Sequence, residues 1–189
     1  MINAITNIDI QILHGIHDAL HGPVLDAVMV FFTRLGDAGF IWLALAAALL
    51  INKKTRVYGL AMLLALAVEF LVINLGLKNL TARPRPFLID PTLATTLINL
   101  PQSWSFPSGH TGSSFAAAVA LCLFPWRRTW VRALPLLLAA VISFSRLYLG
   151  VHYPTDVLFG LIIGVACGFI GHYLAVRLYN RKGAPKDAS

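Results

Sequence analysis

Over the first twenty positions, Ile5, Ile8, Ile12, Ile16 and Leu20 recur at helical spacing, while Asn7, Gln11, His14 and Asp18 fall off that stripe. The spacing predicts an amphipathic helix over 5–20, too short and too polar to span a bilayer and suited to the membrane interface. The periodicity then gives way to six largely apolar runs, 23–34, 39–52, 56–78, 111–125, 130–148 and 155–178. A crossing takes about 20 residues, so three of the six are short. The Leu35-Gly36-Asp37-Ala38-Gly39 break and the Arg127–Arg128 turn nevertheless argue for separate helices. Residues 81–108 interrupt the apolar pattern with five prolines and many polar side chains, which predicts a long, function-bearing loop.

Composition agrees with a membrane chain. Of the 189 residues 58% are hydrophobic and 12% charged, with a mean hydropathy of +0.74. A soluble domain is about half apolar and about a quarter charged. The expected fold is all-α: six transmembrane helices in a bundle, preceded by the interfacial helix. The net charge of +7 does not point to nucleic acid, because the cations cluster between or after apolar runs. Lys53, Lys54 and Arg56 form one group, Arg127, Arg128 and Arg132 a second, and Arg177, Arg181, Lys182 and Lys186 a third. With six crossings these ten of the fifteen Lys and Arg share one face, which the positive-inside bias makes cytoplasmic. The 81–108 loop and the 149–153 turn then share the opposite face. Cys122 and Cys167 each sit inside an apolar run, and neither a disulfide nor a metal site is expected of them. The first 33 residues hold no Lys or Arg, so no cleavable leader is expected.

Three short segments converge on the outer face: Lys78 to Pro86, Pro107-Ser108-Gly109-His110, and Ser145 to Asp156. Together they suit phosphoryl transfer, which needs fixed cations and amides around the equatorial oxygens of the transition state. Lys78, Arg85 and Arg146 are the cations, the arginines adding a planar fork that matches phosphate oxygens in pairs. Ser108 and Gly109 open an apolar helix whose free N–H groups and dipole favour an anion. His152 and Asp156 are four apart; on one helix face, the carboxylate fixes the imidazole tautomer and leaves the other nitrogen to attack phosphorus. His110, on a different helix, can protonate the leaving oxygen and then activate water. Two histidines are thereby accounted for without a metal ligand set.

The three segments resemble the type 2 phosphatidic acid phosphatase superfamily: Lys78, six residues, Arg85-Pro86; then Pro107-Ser108-Gly109-His110; then Ser145-Arg146, five residues, His152, three residues, Asp156. They match in order, with no departure at a signature position. The resemblance implies His152 as nucleophile, His110 as general acid, Asp156 as the orienting carboxylate, and Lys78, Arg85, Ser108, Gly109 and Arg146 with His110 as the phosphate pocket. It implies no cofactor and no metal. Residues 1–189 are expected to form one phosphatase domain, with 1–21 the interfacial helix, 22–180 the bundle and 181–189 a basic tail.

The size and outward site resemble bacterial undecaprenyl diphosphate phosphatases, which implies a cell-membrane enzyme working outside the cytoplasm on a lipid diphosphate. Phosphatidylglycerophosphate, phosphatidic acid or lipid A phosphatase stand as rivals, and a non-enzymatic lipid or anion transporter as the reading from another class. Partners are the lipid substrate and membrane lipids, with no nucleic acid and no obligate protein.

Several residues are left outside the site. Arg83 lies off the strict pattern, where contact with a second phosphate or headgroup is a guess. His14, His17 and His21 are read as an interfacial polar face rather than a metal cluster, His172 as hydrogen-bonded within the bundle, and Glu69 as facing the interior or pairing with Asn74. Trp104 and Phe106 are expected to be interfacial anchors.

Overall fold

The computed structural model describes residues 2–126 and 130–183. The Arg127–Arg128 turn, Lys186 and positions 184–189 of the basic tail lie outside them. Among the described residues every regular element is helical. In chain order these are α1 (Ile2–Leu20), α2 (Pro23–Leu35), α3 (Phe40–Ile51) and α4 (Arg56–Glu69). A π-helical stretch (Phe70–Leu77) continues α4 into the short α5 (Lys78–Thr81). Then follow α6 (Pro86–Ile89), α7 (Gly109–Cys122), α8 (Trp130–Tyr148) and α9 (Pro154–Gly183).

Each of the six apolar runs forms a helix, yet six crossings are more than lengths and composition support. Three segments are long and apolar enough to span: Arg56–Ile89, Trp130–Tyr148 and Pro154–Asn180. The pair α2 and α3, bent by 50° at Gly36 and Asp37, makes a fourth when taken as one broken span. At 14 residues α7 falls short, and it is the most enclosed helix, packed against α4, α8 and α9.

Small residues let α7 and α9 approach this closely. A Cβ at Gly160, Gly164 or Gly168 would come within 2.7 Å of Ser108 O, 2.5 Å of Gly112 O and 2.9 Å of Ala116 O. Such four-residue spacing of small side chains is how helices pack in lipid, where no hydrophobic driving force separates helix from solvent. Alanines continue the seam: Ala61, Ala65, Ala116, Ala120 and Ala175 are fully buried.

Two local features aim the outer residues. Gly150 ends α8 in the left-handed region (φ 63°), with Leu93 O 2.5 Å from where its Cβ would stand, so the chain turns at once and tucks His152 under the helix end. The π-helical stretch adjusts the face on which Lys78 lies. In a regular α-helix the nine residues from Glu69 to Lys78 make about two and a half turns, placing them on opposite faces. The wider i→i+5 turns bring the count to roughly two, and both residues line one cavity.

In α1 the buried face is not the apolar stripe. Asp9 and Leu13 are buried, whereas Ile5, Ile8 and Ile12 are exposed.

Candidate active site

A cavity of about 780 Å³ opens between α2, α3, α4 and the 81–108 loop. Lys78, Arg85, Gly109, His110, Arg146 and His152 line it. Leu43, Leu63, Leu66, Ala67 and Phe70 add apolar surface to the same lining. Of the eight residues singled out by sequence, six reach the cavity wall. Asp156 and Ser108 stand behind it, fully buried.

His152 follows α8 and is 2% exposed. Its Nδ1 lies 3.3 Å from Asp156 Oδ2, across the one turn that begins α9. In this contact the Nδ1–H donates to the carboxylate, which puts the ring's lone pair on Nε2. Arg85 Nη1 donates towards that lone pair at 3.3 Å. Burial pushes the His152 imidazole down to about 3 against the pull of Asp156, so the ring is neutral at physiological pH and its Nε2 is available as a nucleophile.

Asp156 is held from every side. Its Oδ2 accepts from Tyr153 N–H at 2.9 Å and from the Ser105 hydroxyl, and its Oδ1 accepts from Arg83 Nη1 at 2.7 Å. Its backbone carbonyl accepts from Ser108 N–H at 3.0 Å, tying the start of α9 to the start of α7. A carboxylate so anchored has one orientation to offer His152.

The three cations are anchored differently. The Arg85 guanidinium donates to Ser103 O and Val151 O, both at 2.7 Å, and to Ser103 Oγ at 3.1 Å. Most of its fork is therefore spent on the loop, which fixes where its remaining charge points rather than leaving two free prongs. Arg146, 3% exposed, donates from Nη1 to Thr33 Oγ1, and its buried Nε has no hydrogen-bond partner among the described residues. Lys78 Nζ lies 3.5 Å from where a Gly109 Cβ would be, and Asn74 Oδ1 3.3 Å from it. A side chain at position 109 would crowd both.

Ser108 caps α7: its Oγ accepts from Thr111 N–H at 3.5 Å and from Thr111 Oγ1 at 3.1 Å. The hydroxyl organises the helix start, and Gly109 and His110 are what the cavity sees.

His110 lies in the first turn of α7 and lines the cavity. Its Nε2 is 3.0 Å from Asp37 Oδ1, and the two side chains are 19% and 63% exposed. Gly36 makes room, since a Cβ there would lie 2.8 Å from His110 Cδ2.

Sequence reasoning missed Asp37, Ser105 and Asp9. The 36–37 dipeptide registered only as a helix break, and nothing nearby in the chain tied Asp37 to His110, 73 residues away. The guess that Arg83 meets a second phosphate is corrected: Arg83 is spent on Asp156, Thr155 and Asp9 and does not line the cavity. Among the described residues Glu69, 2% exposed, has no hydrogen-bond partner at Oε1, Asn74 included, and His172 has none at Nδ1. The His172 ring packs on Phe124 at 4.4 Å between centroids. His14 pairs with Asp90 at 2.8 Å and His21 with Asp26 at 3.2 Å. No group of three or more His, Cys, Asp or Glu side chains among the described residues is placed to hold a metal.

Comparison with known proteins now adds to this geometry. A family model described as the PAP2 superfamily matches residues 54–180. An undecaprenyl-diphosphatase of Sulfolobus acidocaldarius is 33% identical over 147 residues, covering 77% of this chain and 68% of that protein. A lipid A 4'-phosphatase of Bacteroides thetaiotaomicron is 32% identical over 201 aligned residues, covering 98% and 86%. The crystal structure of a PAP2-type phosphatidylglycerolphosphate phosphatase from Bacillus subtilis superposes with a TM-score of 0.75 at 26% identity, covering 98% of this chain and 90% of that one.

Proposed function

The chain belongs to the PAP2 superfamily and is an integral-membrane lipid phosphatase; on that premise we propose that it removes the terminal phosphate of undecaprenyl diphosphate through a phosphohistidine on His152. The carrying observation is a buried His152 held by Asp156 at Nδ1, with Nε2 facing Arg85 at 3.3 Å in a cavity that Lys78 and Arg146 also line.

In this reading the phosphate lies among Lys78, Arg85, Arg146 and the N–H groups at the start of α7. The three cations offset the charge on its equatorial oxygens. His152 Nε2 donates its lone pair to phosphorus, and the bond from phosphorus to the leaving oxygen breaks. His110 supplies the proton that the leaving oxygen takes up. In the second half-reaction His110 removes a proton from water, the hydroxide oxygen bonds to phosphorus, and the N–P bond breaks to release inorganic phosphate and restore His152. Asp156 holds the Nδ1 proton throughout. No residue set in this scheme calls for a metal.

The diphosphate is favoured over a monoester by Arg34, which joins the cavity lining as a fourth cation beside Asp37. A second phosphate would meet it where a glycerol or sugar would not need it. The apolar part of the cavity lining suits the first isoprene units of the chain. Residues 1–189 act as one domain, α1 lying at the interface with Ile5, Ile8 and Ile12 towards lipid, and the site opening outside the cytoplasm in a cell membrane.

The test is phosphate release by purified protein in detergent with EDTA, with undecaprenyl diphosphate and phosphatidylglycerophosphate at matched concentrations. Higher kcat/KM on the diphosphate, reduced towards parity by Arg34→Ala, is the expected result. Preference for the glycerophospholipid would replace the substrate and leave the chemistry standing. Activity that EDTA abolishes and metal restores would remove the histidine scheme.

A further inference from the structure

Arg83 lies outside the three motifs and off the cavity wall, yet it links the reacting centre to the first helix. Its Nη1 donates to Asp156 Oδ1 at 2.7 Å and to Thr155 Oγ1 at 2.8 Å, and its Nη2 donates to Asp9 Oδ2 at 2.9 Å. The guanidinium carbon sits 3.8 Å over the Tyr153 ring. Asp9 on α1 is only 2% exposed, and its carboxylate also accepts from Thr155 N–H at 3.2 Å and Thr155 Oγ1 at 2.5 Å. A buried carboxylate from the N-terminal helix thus shares one guanidinium with the carboxylate behind the nucleophile.

We infer that Asp9 is a positioning residue for the hydrolysis, acting on Asp156 through Arg83. This rests on the assignment of His152 as nucleophile. When His152 Nε2 bonds to phosphorus the ring becomes cationic, and Asp156 must remain an anion facing it. A guanidinium owned by Asp156 alone would cancel that anion. Two carboxylates sharing one guanidinium leave one net negative charge, and in a buried site such a charge is felt strongly across one hydrogen bond. Arg83 thereby orients Asp156 without neutralising it. No atom, proton or electron passes through Asp9 or Arg83; the effect is electrostatic and geometric.

Two other accounts fit the contacts less well. Arg83 as a headgroup ligand would need free prongs towards the cavity, and its prongs are spent on Asp156, Thr155 and Asp9. Asp9 as a mere latch for α1 would not require its partner to be the arginine that holds the catalytic carboxylate.

The experiment is steady-state kinetics on full-length Asp9→Asn, Asp9→Glu and the double variant Asp9→Asn/Arg83→Gln, each with its thermal inactivation midpoint. Asn keeps an acceptor for Arg83 and Thr155 but removes the charge. Its kcat is expected to fall about tenfold with KM and midpoint unchanged, a coupling normal for neighbours in one network. Glu keeps the charge and should hold kcat within about threefold of wild type, a loss of well under 1 kcal/mol. The double variant replaces an unbalanced cation with a neutral pair and should recover kcat above Asp9→Asn alone.

An Asp9→Asn kcat equal to wild type would overturn the inference. So would a loss that moves KM and midpoint together, or a double variant whose losses multiply. If Asp9→Asn does not fold, an Asp9→Glu enzyme that has lost tenfold in kcat overturns it as well. A wild-type protein that releases no phosphate from any lipid would instead remove the His152 assignment and this inference with it.

Discussion

The two histidines of the cavity are built in opposite ways. His152 is sealed, and the carboxylate behind it takes a hydroxyl, a backbone N–H and a guanidinium besides the imidazole. His110 meets one half-solvated carboxylate, Asp37, at the cavity edge. Under the proposed scheme the contrast follows from what each would have to do. A nucleophile needs one tautomer, no competing proton and a fixed line of attack, all of which burial and saturated hydrogen bonding supply. A group that gives a proton to the leaving oxygen and takes one from water must exchange with its surroundings, so a looser, wetter partner serves it better.

The largest expected effect breaks the sealed side. Asp156→Asn keeps the shape but presents an amide to Nδ1, Ser105 and Arg83; kcat should fall by about 10³–10⁴-fold, as when a carboxylate behind a catalytic histidine becomes an amide. Single-turnover phosphate release in detergent measures it, and a loss under tenfold would contradict the role drawn for the carboxylate. The open side should be far more tolerant. Asp37→Asn is expected to cost about tenfold in kcat, a fraction of the 10²–10⁴ that general acid–base catalysis provides, because an exposed pair is worth little. If Asp37→Asn proved as damaging as Asp156→Asn, the asymmetry between the two sides would collapse.

The smallest effect concerns stability. The folded-state pKa of His152 lies near 3, below its unfolded value, so below pH 6.5 the unfolded chain binds a proton that the folded chain refuses. Stability attributable to this group is therefore complete above about pH 6.5 and declines as the pH falls towards 3. The thermal inactivation midpoint should drop between pH 7 and pH 5, and His152→Gln should flatten that slope. An unchanged slope in the variant would mean that other groups set it.

Much of the charged lining of the cavity was legible because its residues are local. Lys78 and Arg85 stand seven apart, Ser108, Gly109 and His110 are contiguous, and Arg146, His152 and Asp156 fall within one helix end and the next helix start. Their spacing carries their chemistry. Asp9, Ser105 and Asp37 were illegible because each meets its partner across a large sequence gap, 74 residues from Asp9 to Arg83 and 51 from Ser105 to Asp156. Nothing nearby in the chain marks any of the three as more than a polar residue in a turn or on an amphipathic helix.

The same division holds for the helices. Apolar runs determined where helices form, since a backbone in lipid must satisfy its own hydrogen bonds. They did not determine how many cross. By length and composition three segments qualify, or four if α2 and α3, bent by 50°, make one broken span. The stripe of isoleucines in α1 was readable, but the buried face turned out to be the one carrying Asp9 and Leu13, where Asp9 meets Arg83. By itself, then, the sequence determined where helices form, the class of environment and the three motif segments that converge on the cavity, all of which are legible in short-range patterns. Only the tertiary structure decided that Asp37 meets His110 and that Ser105 and the Arg83–Asp9 pair stand behind Asp156, because buried charges take their partners from whatever the packing brings within reach.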